Sequence, residues 1–303
     1  MKRRLSWWRR CSHGCPPAII VALASLVVIG LPQGAAAVDW ADVAGPTAMP
    51  AKVIGRHSLG CLKGGAELAL DGLGYQVMRP SRSRYYGHPN LIAFVRWLGN
   101  EALTQRESGI LVGDLAQPRG GPMNSGHASH QSGLDVDVWF LPAPDRPLPV
   151  DQRETLSAVS MVTEDGLKVK ERWTSGHRAL LRTVASHSEV ERIFVNAAIK
   201  QELCETTGLD RSWLAKIRPW WGHDHHFHVR LACPTGDETC VDQPPPAPGD
   251  GCDGELAWWF SSAAQQALID QKKAPRKAVT ITDLPSECEA VYNELSPDFR
   301  ENN

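Results

Sequence analysis

The chain of 303 residues has no excess of basic charge and no apolar run that comfortably spans a bilayer. Without the five basic residues of its first 37 positions, it carries 27 Lys and Arg against 34 Asp and Glu, a net charge of −7. This acidic balance argues against nucleic acid as a partner. The apolar run AIIVALASLVVIGL has 14 residues, fewer than the roughly 18 to 20 that a membrane-spanning helix needs.

That apolar run belongs to an N-terminal segment with the features of an export signal. A basic stretch, MKRRLSWWRR, precedes it, and GAAA follows with the small-x-small pattern that signal peptidase accepts. We therefore expect residues 1–37 to be a signal peptide cleaved after Ala37, and no stable membrane anchor in the mature chain. An uncleaved anchor and a twin-arginine export route are less favoured alternatives.

The mature chain also lacks a C-x2-C pair, which argues against a structural zinc site built from cysteines. Cys11 and Cys15 lie in the predicted signal peptide. Six cysteines remain, namely Cys61, Cys204, Cys233, Cys240, Cys252 and Cys288. An even number of cysteines in an exported chain predicts three disulfides, and their spacing leaves all 15 pairings open.

Helical and period-two patterns alternate along the mature chain, and no internal repeat is visible. Helices are predicted at 90–103, 177–188, through Cys204, at a short segment capped by Ser212, and at 254–270. Strands are predicted at 109–116, 134–140, 193–199 and from residue 226 onward. Residues 38–60 are interpreted as a lead-in, and 233–252 as a surface loop held by its cysteines. The pattern predicts an α+β fold in which a small antiparallel sheet is flanked by helices and disulfide-held loops, within one domain over 38–303.

Two of the predicted strands carry polar side chains on one face only. Because alternate side chains of a strand share a face, LDVDVWF places Asp137 on the polar face, and HFHVRL does the same for His226 and His228. If these strands are antiparallel neighbours, a carboxylate and two imidazoles converge. The loop before the first strand brings His127 and His130 to the same end.

This convergence indicates a metal site. Three His or Asp ligands with an open fourth position are typical of catalytic zinc, and nitrogen and oxygen donors favour zinc, although cobalt, nickel or copper also bind such sets. The candidate ligands are His130, Asp137 and His228, and Asp135 on the same face could orient a ligand histidine. The histidines outside this cluster are predicted to be hydrogen-bonded or solvent-facing; they are His57, His88, His177 and His187.

The spacing of these residues resembles a known group of zinc peptidases. H-x6-D in HQSGLDVD, followed by H-x-H in HFH, is similar to the lysostaphin-type, D-alanyl-D-alanine metallopeptidase and hedgehog-type domains. The wider context resembles the penicillin-insensitive murein endopeptidase family, through YQVMR, YYGHP, NSGHASHQSGLDVD, RIFVN, KIRPWWGHDHHFHVRL and GDGC. The similarity covers nearly all of 55–260, with departures at Ser125, where the family has Gly, and at His225, where a small residue is usual.

The resemblance implies a role for each site residue. His130, Asp137 and His228 would bind zinc, His226 would be the catalytic base, and His223 would polarise the substrate carbonyl or hold the attacking water. His127 could hold a second metal ion, with a carboxylate near Glu164 or Asp165. His225 is expected to point away from the metal by strand alternation. The implied disulfides are Cys61–Cys288, Cys204–Cys252 and Cys233–Cys240.

The function implied is a periplasmic zinc endopeptidase that cleaves D-alanyl to meso-diaminopimelate crosslinks of peptidoglycan, with the bond between two diaminopimelates as a second substrate. Water would be the nucleophile, so no serine or cysteine nucleophile is required. Two alternatives stay open. A D-Ala-D-Ala carboxypeptidase would need a cation for the free carboxylate, for which Arg79, Arg82 and Arg84 are candidates, although solvated surface charge is the simpler interpretation of these arginines. A non-catalytic zinc-containing cell-wall binding module would not need His223 and His226.

Overall fold

The computed structural model describes residues 39–106, 108–124, 127–275 and 278–295. The predicted signal peptide, with Cys11 and Cys15, and Ser125 lie outside the described residues. The strands are β1 (Lys52–Arg56), β2 (Leu59–Lys63), β3 (Ala66–Glu67), β4 (Asp71–Gly72), β5 (Tyr75–Val77), β6 (Tyr86–Gly87), β7 (Ile110–Val112), β8 (Asp135–Pro142), β9 (Val190–Val195), β10 (Ile217–Pro219) and β11 (His226–Leu231). The α-helices are α1 (Pro89–Arg106), α2 (Val150–Thr155), α3 (Ser175–Ser186), α4 (Ala197–Thr206), α5 (Gly254–Trp258), α6 (Ser262–Lys273) and α7 (Glu287–Asn293).

The main sheet of the described residues has seven strands in the order β10-β9-β11-β8-β7-β5-β4. Its pairs are antiparallel except for β10–β9 and β5–β7, which are parallel. β1 and β2 form a separate hairpin, and β3 pairs with β6. The predicted α+β class is confirmed. The sheet is larger than predicted and mixed, because β4, β5 and β10 are too short for a period of two to reveal them.

The two strands predicted to carry the site are central neighbours in this sheet. β8 and β11 pair antiparallel, with His228 opposite Asp137 and Arg230 opposite Asp135. Their intervening valines are fully buried in the main hydrophobic core. The sequence alternation therefore separates an apolar face from a polar face, and the register brings the polar groups of the two strands side by side.

Helices cover the apolar face of the sheet. α1 begins at Pro89, which suits the first turn because its missing N–H would have no partner there, and it buries Leu91, Val95 and Leu98 in the core. α3 packs against α1 and β9, and α4 packs against β10. Among the helices of the described residues, none combines the length and apolar character that crossing a bilayer requires.

Several predicted boundaries were wrong, for local reasons. Residues 38–60 contain β1, whose Val53 and Ile54 are buried, and are not a simple lead-in. The strand predicted at 193–199 ends at Val195 because the side chain of Asn196 caps α4. The helix predicted at 254–270 is divided into α5 and α6, since Ser261 caps the second one. Ser212 is the first residue of a 3-10 helix that Arg211 precedes as the cap.

The described residues form three disulfides: Cys61–Cys288, Cys204–Cys252 and Cys233–Cys240. These are the pairs that the family resemblance implies. The first ties the β1–β2 hairpin to α7, where Trp40, Ile54 and Val291 form a second, smaller apolar cluster. The C-terminal segment is thereby fixed to the N-terminal hairpin by a covalent bond as well as by packing.

Loss of the long-range disulfide should cost more stability than loss of the short one. Cys61 and Cys288 are 227 residues apart, whereas Cys233 and Cys240 are 7 apart. Loop-closure entropy then predicts that the paired Cys→Ser variants lose about 5 and about 2 kcal/mol of unfolding free energy, respectively. Denaturant unfolding of the two double variants measures this difference. Equal losses would show that loop entropy does not govern these bonds.

Candidate metal centre

The loop before β8 contains a site residue, His130, with a left-handed backbone conformation. His130 has φ 68°, an uncommon backbone conformation for a residue with a side chain. Its backbone N–H donates to Asp135 Oδ2 at 2.9 Å, which fixes the loop to β8. Gly133, with φ 74°, completes the turn, and a Cβ there would lie 2.5 Å from Leu62 Cδ2. Glycine is therefore required at this position by both conformation and space.

The carboxylate of Asp137 is the centre of a histidine cluster. Its Oδ1 lies 3.1 Å from His228 Nδ1, 3.4 Å from His130 Nε2 and 3.5 Å from His226 Nε2. Its Oδ2 lies 3.6 Å from His127 Nδ1. The structure thus brings together five residues that the sequence marked, from the loop, from β8 and from β11.

His127 and His228 compete for the same role in this cluster. The ligand atoms of His127, His130 and Asp137 all lie within 4.8 Å of one another, which makes these three a possible metal site. His228 Nδ1 is nevertheless the ring nitrogen nearest to Asp137 in the contacts above. Both His127 and His228 are therefore candidates for the third ligand beside His130 and Asp137.

The donor set fits a cation. Both ring nitrogens of His130 and Asp137 Oδ1 are buried and have no hydrogen-bond partner among the described residues. Leaving such atoms unpaired costs about 1 to 3 kcal/mol each. Burial lowers the pKa of His228, but the charges of Asp135 and Asp137 outweigh it and raise that pKa. The cluster thus favours positive charge, as a site for a metal ion must.

Asp135 lies next to His228, on the polar face of β8. Its Oδ1 lies 3.3 Å from His228 Nε2, and Arg230 donates to its two oxygens at 2.9 and 3.1 Å. Burial alone would raise the pKa of Asp135, but Arg230, His57 and His228 hold it well below its usual range. If His228 binds a metal ion through Nδ1, a carboxylate in this position would orient its ring.

His226 and His223 lie beside the ligand group and are neutral at pH 7. Burial lowers the pKa of His226 to about 4; Asp137 opposes this shift, while His225 and His228 add to it. Burial also lowers the pKa of His223 to about 3, helped by the charges of His226 and His228. The ring centroids of His223 and His226 are 4.9 Å apart. Both rings are therefore uncharged at pH 7, and each has one unprotonated nitrogen.

The expectation that His225 points away from the site was wrong. Its ring stacks on His226 with centroids 4.7 Å apart, and the two Nδ1 atoms are 2.7 Å apart. His225 also lines the cleft in front of the cluster. Strand alternation does not apply to it because β11 begins only at His226.

Asp114 is a site residue that the sequence analysis missed. Its Oδ2 lies 2.9 Å from His127 Nε2 and accepts from Arg84 Nη1 at 2.8 Å and from Arg82 Nη1 at 3.1 Å. Burial would raise the pKa of Asp114, but His127 and Arg84 lower it to about 2. Arg84 is accordingly not solvated surface charge. The only available signal was an acidic residue two positions after β7.

The predicted carboxylate partner of His127 is replaced by Asp114. In the described part of the chain, neither Glu164 nor Asp165 joins His127 in a group of potential ligands. Asp165 instead accepts hydrogen bonds from the Thr163 hydroxyl and the Leu167 N–H within its own exposed turn.

Three of the four histidines predicted to be structural do have structural partners. His177 Nδ1 accepts from the Thr174 N–H at the start of α3, His88 Nδ1 accepts from the Asn90 N–H, and His187 Nδ1 accepts from the Glu189 N–H. The fourth, His57, is different: it belongs to a second group of possible metal ligands.

The cluster lies along a cleft of about 330 Å³ whose lining includes His127, Asp137, His226 and Trp139. A cleft with convergent histidines and carboxylates, two of the histidines with strongly lowered pKa values, is the kind of site in which hydrolytic enzymes hold their catalytic groups. The chain belongs to the penicillin-insensitive murein endopeptidase family, whose sequence model matches residues 53–293. The family membership inferred from the sequence is thus confirmed, and it makes the chain a peptidase that acts on peptidoglycan.

Individual relatives cover almost the full chain. The penicillin-insensitive murein endopeptidase of Klebsiella pneumoniae (strain 342) is 42% identical over 273 residues, which are 90% of this chain and 97% of the relative. The protein of the same name from Salmonella paratyphi C is 42% identical, over 86% of this chain and 92% of the relative. That from Yersinia enterocolitica is 41% identical, over 88% of this chain and 95% of the relative.

Proposed function

We propose that the chain is a zinc-dependent endopeptidase of the periplasm that hydrolyses D-alanyl to meso-diaminopimelate crosslinks in peptidoglycan. The observation that carries this proposal is the contact group of His130, Asp137 and His228. His130 Nε2 lies 3.4 Å from Asp137 Oδ1, and His228 Nδ1 lies 3.1 Å from the same oxygen. That oxygen and both ring nitrogens of His130 have no hydrogen-bond partner among the described residues.

The ligand chemistry supports zinc. All six cysteines of the mature chain are in disulfides, so the available donors are imidazole nitrogens and carboxylate oxygens. Three such ligands with an open position are typical of catalytic zinc. Held by His130, Asp137 and His228, a zinc ion would polarise the scissile carbonyl and lower the pKa of the attacking water.

His226 is the proposed general base. Its Nε2 lies 3.5 Å from Asp137 Oδ1, at the edge of the ligand group, and the imidazole is neutral because burial lowers its pKa to about 4. When His226 Nδ1–H donates to His225 Nδ1, Nε2 is the atom that takes the proton of water and later gives it to the leaving amine. His225 would thus set the tautomer of the base.

His223 is the proposed second catalytic histidine. Its Nδ1 lies 2.9 Å from the Trp221 carbonyl oxygen, which makes Nδ1 the protonated nitrogen of the neutral ring. Nε2 is then the nitrogen available to the substrate or to water. The carbonyl of Trp221 therefore orients the ring, and burial keeps it uncharged, with a pKa of about 3.

The contacts of Arg79, Arg82 and Arg84 favour an endopeptidase over a D-Ala-D-Ala carboxypeptidase. Arg82 and Arg84 both pair with Asp114, and Arg79 donates to the backbone carbonyls of Glu154 and Leu156. Each of the three guanidinium groups proposed to bind a free D-Ala carboxylate thus already has a partner in the protein. Arg79 and Arg82 line the cleft, but these contacts hold part of the donor set of each guanidinium against the protein.

The periplasm is proposed as the location on two grounds. Three disulfides are typical of a compartment that oxidises thiols. Peptidoglycan, the substrate of this peptidase family, lies in the same compartment. The predicted signal peptide over residues 1–37 agrees with this proposal, and we propose residues 38–303 as the catalytic domain.

Digestion of purified murein tests the function. We expect crosslinked muropeptide dimers to be converted to monomers, with no release of free D-alanine. Release of D-alanine alone would identify a carboxypeptidase, and binding without any product would identify a non-catalytic module. Separate quantification of dimers linked through D-alanine and of dimers linked between two diaminopimelates determines which bond is cut.

A further inference from the structure

His57 has an unexplained ring nitrogen. The residue lies in the turn between β1 and β2, and it is only 4% exposed. Its Nδ1 has two partners, Ser132 Oγ at 3.3 Å and Asp135 Oδ1 at 3.4 Å. Its Nε2 is buried and has no hydrogen-bond partner among the described residues.

A buried carboxylate oxygen faces that nitrogen. Glu191 Oε2, from β9, lies 4.0 Å from His57 Nε2, and it also has no hydrogen-bond partner among the described residues. If Nδ1 of the neutral ring donates its proton to Asp135, then Nε2 and Glu191 Oε2 both present lone pairs to the same space. Two facing acceptors need either a proton or a metal ion between them.

Asp242 completes the group from a third segment. It follows the Cys233–Cys240 disulfide, and its Oδ1 accepts from the Cys233 N–H at 2.7 Å. One ligand atom each from His57, Glu191 and Asp242 lies within 4.8 Å of the others. The carboxylate of Asp242 is exposed, so a cation could reach the group from solvent.

We propose that His57, Glu191 and Asp242 form a second divalent-cation site, separate from the catalytic group, which takes zinc. One imidazole nitrogen and two carboxylate oxygens are ligands that zinc accepts, with water completing the coordination. The contact of His57 Nδ1 with Asp135 is the arrangement expected of a ligand histidine, whose second nitrogen donates to a carboxylate.

The site joins three parts of the fold and shares a neighbour with the catalytic centre. It connects the β1–β2 turn, β9 and the loop behind Cys240. Asp135 Oδ1 lies 3.4 Å from His57 Nδ1 on one side and 3.3 Å from His228 Nε2 on the other. Zinc bound at the second site should therefore stabilise the segment around Asp135, which contacts His228. Its main effect should be on the free energy of unfolding and not on the rate of murein cleavage.

Zinc titration of the metal-free full chain tests this site. We expect wild type to bind one equivalent more than the Glu191→Gln variant, which keeps the size of the side chain but loses its charge. Asp242→Asn alters only an exposed residue and should weaken the same equivalent by at least about tenfold, since even the outer partners of metal ligands change affinity by about 10- to 100-fold. The matched control is Glu238→Gln, which removes another exposed carboxylate of the same loop and should have no effect.

The outcomes separate this site from the catalytic one. Equal zinc stoichiometry and affinity in wild type and in both site variants would overturn the proposal, and would indicate that a protonated His57 simply bridges Asp135 and Glu191. If Glu238→Gln weakened the binding of this zinc equivalent as much as Asp242→Asn does, the ion would be bound adventitiously at the surface. That result would also overturn the proposal. Because neither substitution touches the catalytic ligands, continued murein cleavage by these variants verifies that they are folded and leaves the proposed function intact.

Discussion

Murein cleavage is expected to fall to background when the protein is stripped of metal, and to return when zinc is added. The reason is that the proposed reaction uses the ion both as the Lewis acid and as the activator of water, and the six cysteines of the described residues are all held in disulfides. The measurement is muropeptide release before chelation, after verified removal of metal by elemental analysis, and after stepwise addition of zinc.

The same experiment has a structural readout. Without a cation, the buried nitrogens of His130 and Asp137 Oδ1 remain unpaired, so zinc should also raise the unfolding temperature. The Glu191→Gln, Asp242→Asn double variant is the matched control: chelation should inactivate it as completely as wild type, because it retains the catalytic cluster. Undiminished cleavage by protein shown to be metal-free would exclude the proposed mechanism.

The core of the site could be predicted from the sequence because it depends on strand alternation. Polar residues at every second position of β8 and β11 cost free energy if buried without partners, so their accumulation on one face indicated a function. Antiparallel pairing then places His228 directly opposite Asp137. The local pattern predicts which face each side chain occupies, whereas the pairing of the two strands and its register come from the structure.

Residues whose role depends on long-range contacts could not be predicted. Asp114 lies 13 residues before His127, and only the pairing of β7 with β8 brings it to the site. His57 and Glu191 come from separate elements, the β1–β2 turn and β9, and no local motif links two residues so far apart in the chain. The strands β4, β5 and β10 were missed for a different reason, because two or three residues are too few to show a period of two.

The variants of the four histidines in GHDHHFHVRL are expected to separate metal binding from catalysis. His228→Ala should lose zinc, because its Nδ1 lies 3.1 Å from Asp137 and its Nε2 faces Asp135 as a ligand histidine requires. His226→Ala should keep zinc but lose about 10²- to 10⁴-fold in murein turnover, the usual contribution of general acid and base catalysis. His223→Ala should behave in the same way as His226→Ala.

His127→Ala decides between the two candidates for the third ligand. The distances alone allow His127 to form a metal group with His130 and Asp137. Its other nitrogen, however, is 2.9 Å from Asp114, which Arg82 and Arg84 also contact, so His127 is already anchored in a network of its own. We expect His127→Ala to retain zinc and His228→Ala to lose it, as measured by metal content after dialysis.

His225→Ala should have an intermediate effect. Because the His225 ring stacks on His226 and their Nδ1 atoms are 2.7 Å apart, its removal should disturb the tautomer of the base without affecting the metal. The loss of one such hydrogen bond predicts about a tenfold reduction in turnover or less. Metal content and murein turnover of all five variants test the assignment together. A metal-free His226→Ala protein, or a His228→Ala protein that retains zinc when His127→Ala does not, would reassign the ligands, because the proposed roles require zinc to depend on His228 and turnover on His226.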